Sequence, residues 1–273
     1  MNILLRPLCQ SLALVAAIFT LSCCAGKKVE KTTAVGPALL KNDAYGNASV
    51  KRPVPRNPHL AFSSDISTSS ASRISHGDRT KKYIALTFDD GPVPANTSRL
   101  LDILSRRNVK ATFYVIGERA KNHPGVIRRI VNEGHEVGNH TWNHPNMTKL
   151  SDSQVRSELN RTRDAIVAAS GVQPRTMRPP YGALTQRQRE WIYNEYGYPA
   201  VMWDVDPLDW KKPGASVVAN RLIQGTRNGS ILLVHDLHGA SVDAIPHTID
   251  TLLRQGYQFV TVSQMISLSS AAH

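Results

Sequence analysis

Across most of its length, the 273-residue sequence lacks cysteine: Cys9, Cys23 and Cys24 all fall within the first 24 residues. The rest of the chain therefore cannot form disulfides, and its stability must come from core packing. The sequence also lacks a long apolar run at its start, where residues 12–21 have about half the ~20 apolar residues of a membrane-spanning helix. We interpret that run as an export signal and not as a permanent span.

Residues 1–25 have the layout of a secretory signal, with Arg6 followed by the apolar run and then by small residues. The segment Leu21-Ser22-Cys23-Cys24 resembles the lipid-attachment site of bacterial lipoproteins, although neither cysteine has both usual neighbours at the usual offsets. Ordinary cleavage after Ala25 fits nearly as well, and we favour the lipid anchor. Either route predicts an exported protein, anchored in the cell envelope or secreted.

Residues 26–80 are rich in Ser, Thr, Asn, Pro and Lys and poor in large apolar residues, which predicts a polar linker. Residues 1–82 carry a net charge of +8, whereas residues 83–273 carry +4. Such a basic tail favours contact with anionic wall polymers or lipid head groups, or it is only a solvated tether. For an exported chain we expect no nucleic-acid partner, and we expect a monomer.

From residue 81 to 273, short β-rich runs alternate with helical patterns, which predicts an α/β domain built around a parallel sheet. The predicted strands are 83–88, 112–116, 135–138, 177–178, 200–205, 230–235 and 259–262. The first predicted helix begins at residue 96 or 97. The other predicted helices cover 124–132, 151–170, 186–196, 217–223 and 242–254, and Ser151 with Gln154 forms a capping box at the start of the second of these. An open doubly wound sheet is one alternative, and a distorted (β/α) barrel with about seven parallel strands is the architecture we favour.

Polar side chains follow five of these strands at the point where each strand ends. They are Asp89, Asp90, Asn139, His140, Arg178, Asp206, Asp209 and His235. In parallel α/β folds the carboxyl ends of the strands converge on one mouth, where ligands bind. The sequence therefore predicts an active site at the C-terminal ends of the strands.

Asp89 and Asp90 are adjacent carboxylates after an apolar strand, so they need a neutralising group nearby. His140 and His144 are four residues apart, in a segment that Pro145 directs towards a loop. With one aspartate they would form the two-nitrogen, one-oxygen ligand set of a catalytic zinc. The other aspartate would remain as a base beside the cation. Surface histidines, with lysines as the neutralising charge, are the simpler alternative.

Three further residues have a catalytic and a structural interpretation. Arg178 would either aim the free aspartate or form a rim salt bridge of little energetic value. His235 follows the buried run 231–234 and resembles a packed core histidine, unless Asp209 pairs with it and raises the pKa of its imidazole.

Four apolar or aromatic residues near these motifs have weaker signals. Trp210 and Leu233 fit a methyl-sized patch or an ordinary core. Trp142 and Trp203 we interpret as packing residues.

Five segments, taken in order, resemble the five motifs of polysaccharide deacetylases, carbohydrate esterase family four. They are Thr87-Phe-Asp-Asp-Gly91, His140-Thr-Trp-Asn-His144, Arg178-Pro-Pro-Tyr-Gly182, Asp206-Pro-Leu-Asp-Trp210 and Leu232-Leu-Val-His235. The resemblance covers about residues 82–266. It departs from the family at Pro207, where Ser or Thr is usual, and this predicts a changed loop with activity retained.

The resemblance implies a distorted (β/α) barrel that removes acetyl groups from N-acetylated sugars, or O-acetyl groups in some members. It also implies a role for each residue: Asp89 as general base, Asp90, His140 and His144 as ligands of a divalent metal, His235 as general acid, Arg178 orienting Asp89, Asp209 tuning His235, the Tyr181 N–H binding the oxyanion, and Trp210 with Leu233 lining the acetyl pocket. The metal we expect is Zn²⁺, with Co²⁺ or another divalent transition ion as the alternative.

The expected substrate is N-acetylglucosamine in peptidoglycan or in a chitin-like polymer, and the expected product is acetate. An O-acetyl esterase acting on acetylxylan is one alternative. A magnesium-dependent phosphohydrolase is another, although its two acids would be one residue apart and Asp89 and Asp90 are adjacent. The third is a non-catalytic, glycan-binding lipoprotein.

Overall fold

The computed structural model describes residues 72–270, and within them strands and helices alternate. The strands are β1 (Arg73–Ile74), β2 (Tyr83–Asp89), β3 (Thr112–Val115), β4 (Glu136–Asn139), β5 (Ala200–Val201), β6 (Ile231–His235) and β7 (Gln258–Phe259). The α-helices are α1 (Pro94–Arg106), α2 (Gly117–Asn122), α3 (Pro124–Asn132), α4 (Asp152–Ser170), α5 (Gln186–Tyr196), α6 (Ala215–Gly225), α7 (Gly239–Arg254) and α8 (Val262–Ser270).

The strands form a mostly parallel ring, so the prediction of a distorted (β/α) barrel is confirmed. Strands β4, β3, β2 and β6 lie in that order, β7 pairs with the start of β2, and β1 pairs with β5. Single parallel bridges continue the ring at Met177, which pairs with both Asn139 and Ala200, and at Val205, which pairs with Leu232. The predicted fourth strand is therefore one bridging residue, and the fifth is much shorter than 200–205.

The core lies between the strands and the surrounding helices. Strand β2 is buried along almost its whole length because strands lie on both of its edges and helices cover it. In register, Asp89 stands beside Tyr114 of β3 and His235 of β6. This register places the acid doublet and His235 together at the carboxyl end of the barrel.

Two glycines allow close packing near that end. A Cβ atom on Gly138 would lie 2.4 Å from the Tyr114 ring, so the tyrosine lies directly over the glycine backbone. A Cβ atom on Gly91 would lie 2.5 Å from the Asp236 carboxylate. Both contacts hold buried polar side chains close to the strand ends.

Helix ends agree with the prediction where the capping side chain lies within the first turn of the helix. Ser151 and Gln154 form the predicted capping box at the start of α4, and Gly171 ends that helix in the left-handed conformation. The predicted start of α1 at residue 96 or 97 is wrong, because α1 begins at Pro94 with Val93 as its N-cap. The Thr97 hydroxyl accepts from the Val93 N–H and donates to Asp236.

Three elements were not expected. Strand β1 lies in the segment predicted as linker, and its pairing with β5 places residues 73–74 in the folded domain. Helix α2 separates β3 from α3. Helix α8 begins at Val262, where the sequence pattern predicted a strand, because its apolar residues pack on the barrel.

Within residues 72–270, no helix combines the length and apolar character needed to cross a membrane. The predicted signal segment 1–25, its cysteines and most of the predicted linker lie outside the described residues.

Candidate active site

The two aspartates differ in backbone conformation. Asp89 is the last residue of β2, whereas Asp90 has a φ of 72°, so the chain turns sharply between them. Both carboxylates nevertheless approach the Nε2 atom of His140, at 3.7 Å from Asp89 Oδ2 and 3.3 Å from Asp90 Oδ1. The left-handed turn brings two consecutive side chains to one site, which strand alternation alone would not allow.

Asp90, His140 and His144 form a compact group of donor atoms, all within 4.8 Å of one another. Asp90 Oδ1 lies 3.3 Å from each Nε2. The two histidines lie in an irregular segment after β4, as Pro145 predicted. Thr141 and His144 have positive φ angles there, and the resulting bend turns both imidazoles towards the same carboxylate.

The chemistry of this donor set fits a divalent cation. Asp90 Oδ1 is buried and has no hydrogen-bond partner among residues 72–270, which is costly for an anionic oxygen unless a cation binds it. The Nδ1–H of His140 donates to the carbonyl of Arg178 at 2.7 Å, so the Nε2 lone pair is the one left for a ligand. Two imidazole nitrogens and a carboxylate oxygen are ligands that suit zinc.

The electrostatics of the group also suit metal binding. Burial tends to raise the pKa of Asp90, but His140 above all, with His144 and His235, outweighs it and lowers the pKa to about 2. Burial and the neighbouring His140 lower the pKa of His144 below its usual range. These surroundings favour an anionic Asp90 and a neutral His144, the protonation states in which such side chains bind a metal.

Arg178 does not form the rim salt bridge considered as an alternative, because its side chain is fully buried. Its Nη1 donates to Asp89 Oδ1 at 2.7 Å and to Thr87 Oγ1 at 2.7 Å. Its Nε and Nη2 donate to the carbonyls of Val201 and Met202. The guanidinium also lies over the Tyr114 ring, 4.3 Å from the ring centre. Every part of the group is bound, so the direction of the Asp89 carboxylate is fixed.

His235 and Asp209 form a second ion pair at the same mouth. His235 Nδ1–H donates to Asp209 Oδ1 at 2.8 Å, and its backbone N–H donates to Oδ2 at 2.8 Å. Ser241 and the Trp210 backbone N–H complete the shell of donors around the buried carboxylate. Burial tends to lower the pKa of His235, but the bond to Asp209 and the charges of Asp89 and Asp90 raise it to about 9.

One cavity of about 430 Å³ opens at this mouth. Of the ten predicted site residues, eight line it: Asp89, Asp90, His140, His144, Tyr181, Trp210, Leu233 and His235. The other two, Arg178 and Asp209, are buried behind it and hold Asp89 and His235. The structure therefore brings the whole predicted set together.

The aromatic and apolar members of the lining differ in exposure. Tyr181 is 70% exposed, has a φ of 60°, and its ring packs edge-on against His144. Trp210 is 52% exposed, whereas Leu233 is almost fully buried in β6. The interpretation of Trp203 as a packing residue was incomplete, because Trp203 also lines the cavity.

Several lining residues received no role from the sequence: Pro179, Asp206, Leu237 and His238. Two signals pointed to Asp206: its position after a predicted strand and its place at the start of the fourth motif. Leu237 and His238 follow β6 in the loop before α7. These two residues lie near the site because that loop folds back towards it. No local sequence pattern predicts the path of the loop.

Asp236 is a buried carboxylate that sequence reasoning missed. It is 1% exposed, accepts a hydrogen bond from Thr97, and has no partner for Oδ1 among residues 72–270. Burial raises its pKa to about 7. Asn96 donates to the carbonyls of Asp236 and Leu237, so the first turn of α1 is bonded to the loop after β6.

The fold and the site define a (β/α)-barrel hydrolase of the metal-dependent type. A sequence profile described as polysaccharide deacetylase matches residues 76–201. The chitooligosaccharide deacetylase of Bradyrhizobium sp. is 36% identical over 211 residues, which cover 71% of this chain and 96% of that relative. The chain belongs to the polysaccharide deacetylase family, whose members are metal-dependent.

Two peptidoglycan deacetylases are similar as well. The peptidoglycan-N-acetylglucosamine deacetylase PgdA of Listeria monocytogenes is 42% identical over 187 residues, which cover 68% of this chain but 39% of that relative. The chain thus matches about two fifths of the length of the Listeria protein. The structure of peptidoglycan deacetylase PdaC from Bacillus subtilis has 40% identity and a TM-score of 0.67, covering 71% of this chain and 95% of that one.

Proposed function

We propose that the protein hydrolyses the N-acetyl group of N-acetylglucosamine residues in peptidoglycan and releases acetate. One observation carries this proposal: the wall of a single cavity contains both the Asp90–His140–His144 group and His235 with its buried partner Asp209. Amide hydrolysis needs an activated water and an acid for the leaving amine, and this cavity presents groups suited to both. The relatives named for peptidoglycan and chitooligosaccharide support the choice of sugar.

Asp90, His140 and His144 would hold a zinc ion. When bound there, zinc supplies a Lewis acid that polarises the acetyl carbonyl and makes water more acidic. Tyr181 would offer its backbone N–H to the oxygen on which negative charge develops.

Asp89 would accept the proton of the attacking water. Its Oδ1 is bonded to Arg178 at 2.7 Å, so the other oxygen, Oδ2, is the one available for proton transfer. Oδ2 is also the oxygen that lies 3.7 Å from His140 Nε2, on the side of the metal ligands. Arg178 acts through Asp89 and is a positioning residue.

His235 would give a proton to the departing amine. Its Nδ1–H is bonded to Asp209, so Nε2 is the atom that would carry the transferred proton. The pKa of about 9 keeps the imidazole protonated in neutral solution. Trp210 and Leu233 would enclose the methyl of the acetyl group, a role supported by their position in the wall of the cavity that His235 also lines.

The remaining expectations concern the part of the chain outside residues 72–270. We propose that residues 1–25 direct export, that a lipid on Cys23 or Cys24 anchors the protein, and that residues 26 to about 71 act as a basic tether. The named peptidoglycan relatives support an extracytoplasmic site, because that polymer lies outside the membrane. We further propose a monomer.

The test is acetate release from peptidoglycan, chitooligosaccharide and acetylxylan, with chelated protein and with zinc restored. We expect acetate from the two glucosamine polymers, loss on chelation and recovery with zinc. Acetate from acetylxylan alone would indicate an O-acetyl esterase. Phosphate release with magnesium and none with zinc would indicate a phosphohydrolase, and sugar binding without any acetate would indicate a binding protein.

Asp89→Asn is the matched variant for this test. It retains the shape of the side chain and removes the proton acceptor, so zinc content should stay at the wild-type level. Acetate release should fall by about 10²–10⁴-fold, the usual contribution of a general base. Undiminished activity would show that Asp89 is not the base.

A further inference from the structure

A second, smaller cavity lies on the other residues that surround Asp90 and His144. It has a volume of about 280 Å³ and shares Asp90 and His144 with the main cavity. Its other lining residues are Ile116, Glu118, Arg119 and Asn143. A sugar whose acetyl group lies beside Asp90 and His144 would thus have the side cavity next to it.

The position of Arg119 is fixed relative to the histidine ligands. The backbone N–H of Gly117 donates to the carbonyl of Thr141 at 2.9 Å, and that of Glu118 donates to Trp142 at 3.0 Å. These bonds join the first turn of α2 to the loop that carries His140 and His144. Arg119 follows directly in α2, so its distance from the ligands does not depend on a flexible loop.

The guanidinium of Arg119 has N–H donors that are available to a ligand. Its side chain is half-buried, and within residues 72–270 no hydrogen bond or ion pair joins it to another side chain. Its charge does act on the buried Asp236, whose pKa it tends to lower. Glu118 is exposed on the same cavity and does not pair with it. A planar, half-desolvated guanidinium without an acceptor suits a carboxylate, which it can bind through two parallel hydrogen bonds.

The candidate substrates differ in this chemistry. Chitin-like chains and acetylxylan carry no carboxylate on their acetylated backbone. Peptidoglycan has a lactyl group on the sugar next to each N-acetylglucosamine, and this group is a free carboxylate wherever the stem peptide has been removed. A cavity of about 280 Å³ is large enough for a lactyl group. The charge of Arg119 and its place beside the metal ligands favour the acidic glycan.

We propose that Arg119 binds the carboxylate of the sugar adjacent to the one being deacetylated, and so makes the protein prefer acidic glycans to neutral ones. This inference rests on the proposed deacetylase function. Arg119 is then a specificity residue that contacts substrate and takes no part in proton transfer.

The experiment compares kcat/KM of the zinc-loaded protein on two oligosaccharides of equal length. One is a peptide-free peptidoglycan fragment and the other is chitotetraose. We expect the wild type to prefer the acidic fragment, and Arg119→Gln to lower the ratio of the two kcat/KM values about tenfold, chiefly through KM. Arg119→Lys should recover part of the ratio, because a lysine keeps the charge but loses the two-bond geometry.

Two controls separate recognition from general charge. Arg106→Gln removes the same charge from an exposed site at the end of α1 and should leave the ratio unchanged. A methyl ester of the lactyl carboxylate should reduce the preference of the wild type as Arg119→Gln does. Raising the salt concentration should weaken the preference too.

The results that would overturn the inference are specific. An equal loss on both substrates in Arg119→Gln would indicate a structural role, for instance through Asp236. No change in the ratio would show that no carboxylate binds there. Failure of the wild type to release acetate from either oligosaccharide would instead contradict the proposed function.

Discussion

His140 and His235 lie on the same cavity, and each donates its Nδ1–H to a buried oxygen, but the two oxygens differ in charge. For His140 the acceptor is the carbonyl of Arg178 at 2.7 Å. For His235 it is the carboxylate of Asp209 at 2.8 Å. A neutral acceptor orients the ring without favouring a second proton, whereas a carboxylate stabilises the imidazolium.

The comparison indicates how residues of one type on one cavity could take the two proposed roles, metal ligand and proton donor. His144, beside His140, has a lowered pKa because it is buried next to another imidazole. Burial acts on His235 in the same direction, but Asp209, Asp89 and Asp90 reverse it. The partner of Nδ1 and the surrounding charge therefore distinguish the two proposed roles, and the residue type alone does not.

The largest expected effect comes from replacing His140, the histidine with the neutral acceptor. His140→Ala deletes one of the three proposed ligand atoms, so zinc content measured by atomic absorption should fall below one per chain. Acetate release should fall about 10³-fold or more, because the metal supplies several kcal/mol of transition-state stabilisation. A variant with full zinc content and full activity would contradict the assignment of His140 as a ligand.

The next largest effect should come from replacing His235, the histidine paired with a carboxylate. His235→Gln should retain zinc at the wild-type level and lose about 10²–10⁴-fold in kcat, since no proton donor remains for the amine. His247→Gln, on the exposed side of α7, is the matched control and should behave as wild type. Loss of zinc from His235→Gln would show that His235 belongs to the ligand set.

A smaller effect changes the charge of the acceptor. In Asp209→Asn the pKa of His235 should fall from about 9 towards its ordinary value of 6.5. The proposed mechanism needs the acid form of His235, so the basic limb of the pH–activity profile should move to lower pH, with about tenfold or more of the activity lost at pH 8. The raised pKa also stabilises the fold below about pH 6.5 and ceases to do so as pH rises through about 9.

Two measurements check that variant. NMR titration of the His235 ring in chelated protein should show the lower pKa directly. Urea unfolding at several pH values should show that the wild type loses stability between about pH 6.5 and 9, whereas Asp209→Asn does not. An unmoved basic limb would mean that Asp209 does not set the protonation of His235.

The smallest effect removes one donor from the carboxylate. Ser241→Ala leaves Asp209 bonded to both N–H groups of His235 and to the Trp210 backbone, so the pair persists. Unfolding should become easier by about 1 kcal/mol, and activity should fall only a few-fold. Ser267→Ala, an exposed hydroxyl on α8, should change stability by less than about 0.5 kcal/mol. Equal effects of the two substitutions would show that Ser241 adds nothing to the pair.

The barrel and most of the site were predictable because their signals are local. Strand β2 ends in Asp89 and is followed by Asp90, which makes one continuous apolar-then-acidic run, and β6 with His235 at its end forms another run. The rule that parallel strands converge at their carboxyl ends then joins these runs without knowledge of the packing. The capping box at Ser151 was predictable for the same reason, since both of its partners lie in one turn.

The remaining features depend on partners far along the chain. Strand β1 has two residues and no apolar alternation, and only its pairing with β5 makes it a strand. Asp236 is buried because the first turn of α1 and Gly91 close over it. The sequence could not decide whether Arg178 orients Asp89 or forms a rim salt bridge. The burial of Arg178 depends on the strands that surround it.

Arg178 also performs a task that backbone pairing performs elsewhere in the barrel. Near it, the ring consists of single bridges at Met177 and Val205, and the guanidinium joins this sparse seam to β2 through Val201, Met202 and Asp89. Chemistry and architecture thus share one side chain. Substitutions of the exposed Tyr181 or Trp210 would remove few buried contacts. Replacing Arg178 would leave the buried Asp89 carboxylate without its partner and would also remove the hydrogen bonds that join this part of the barrel to β2.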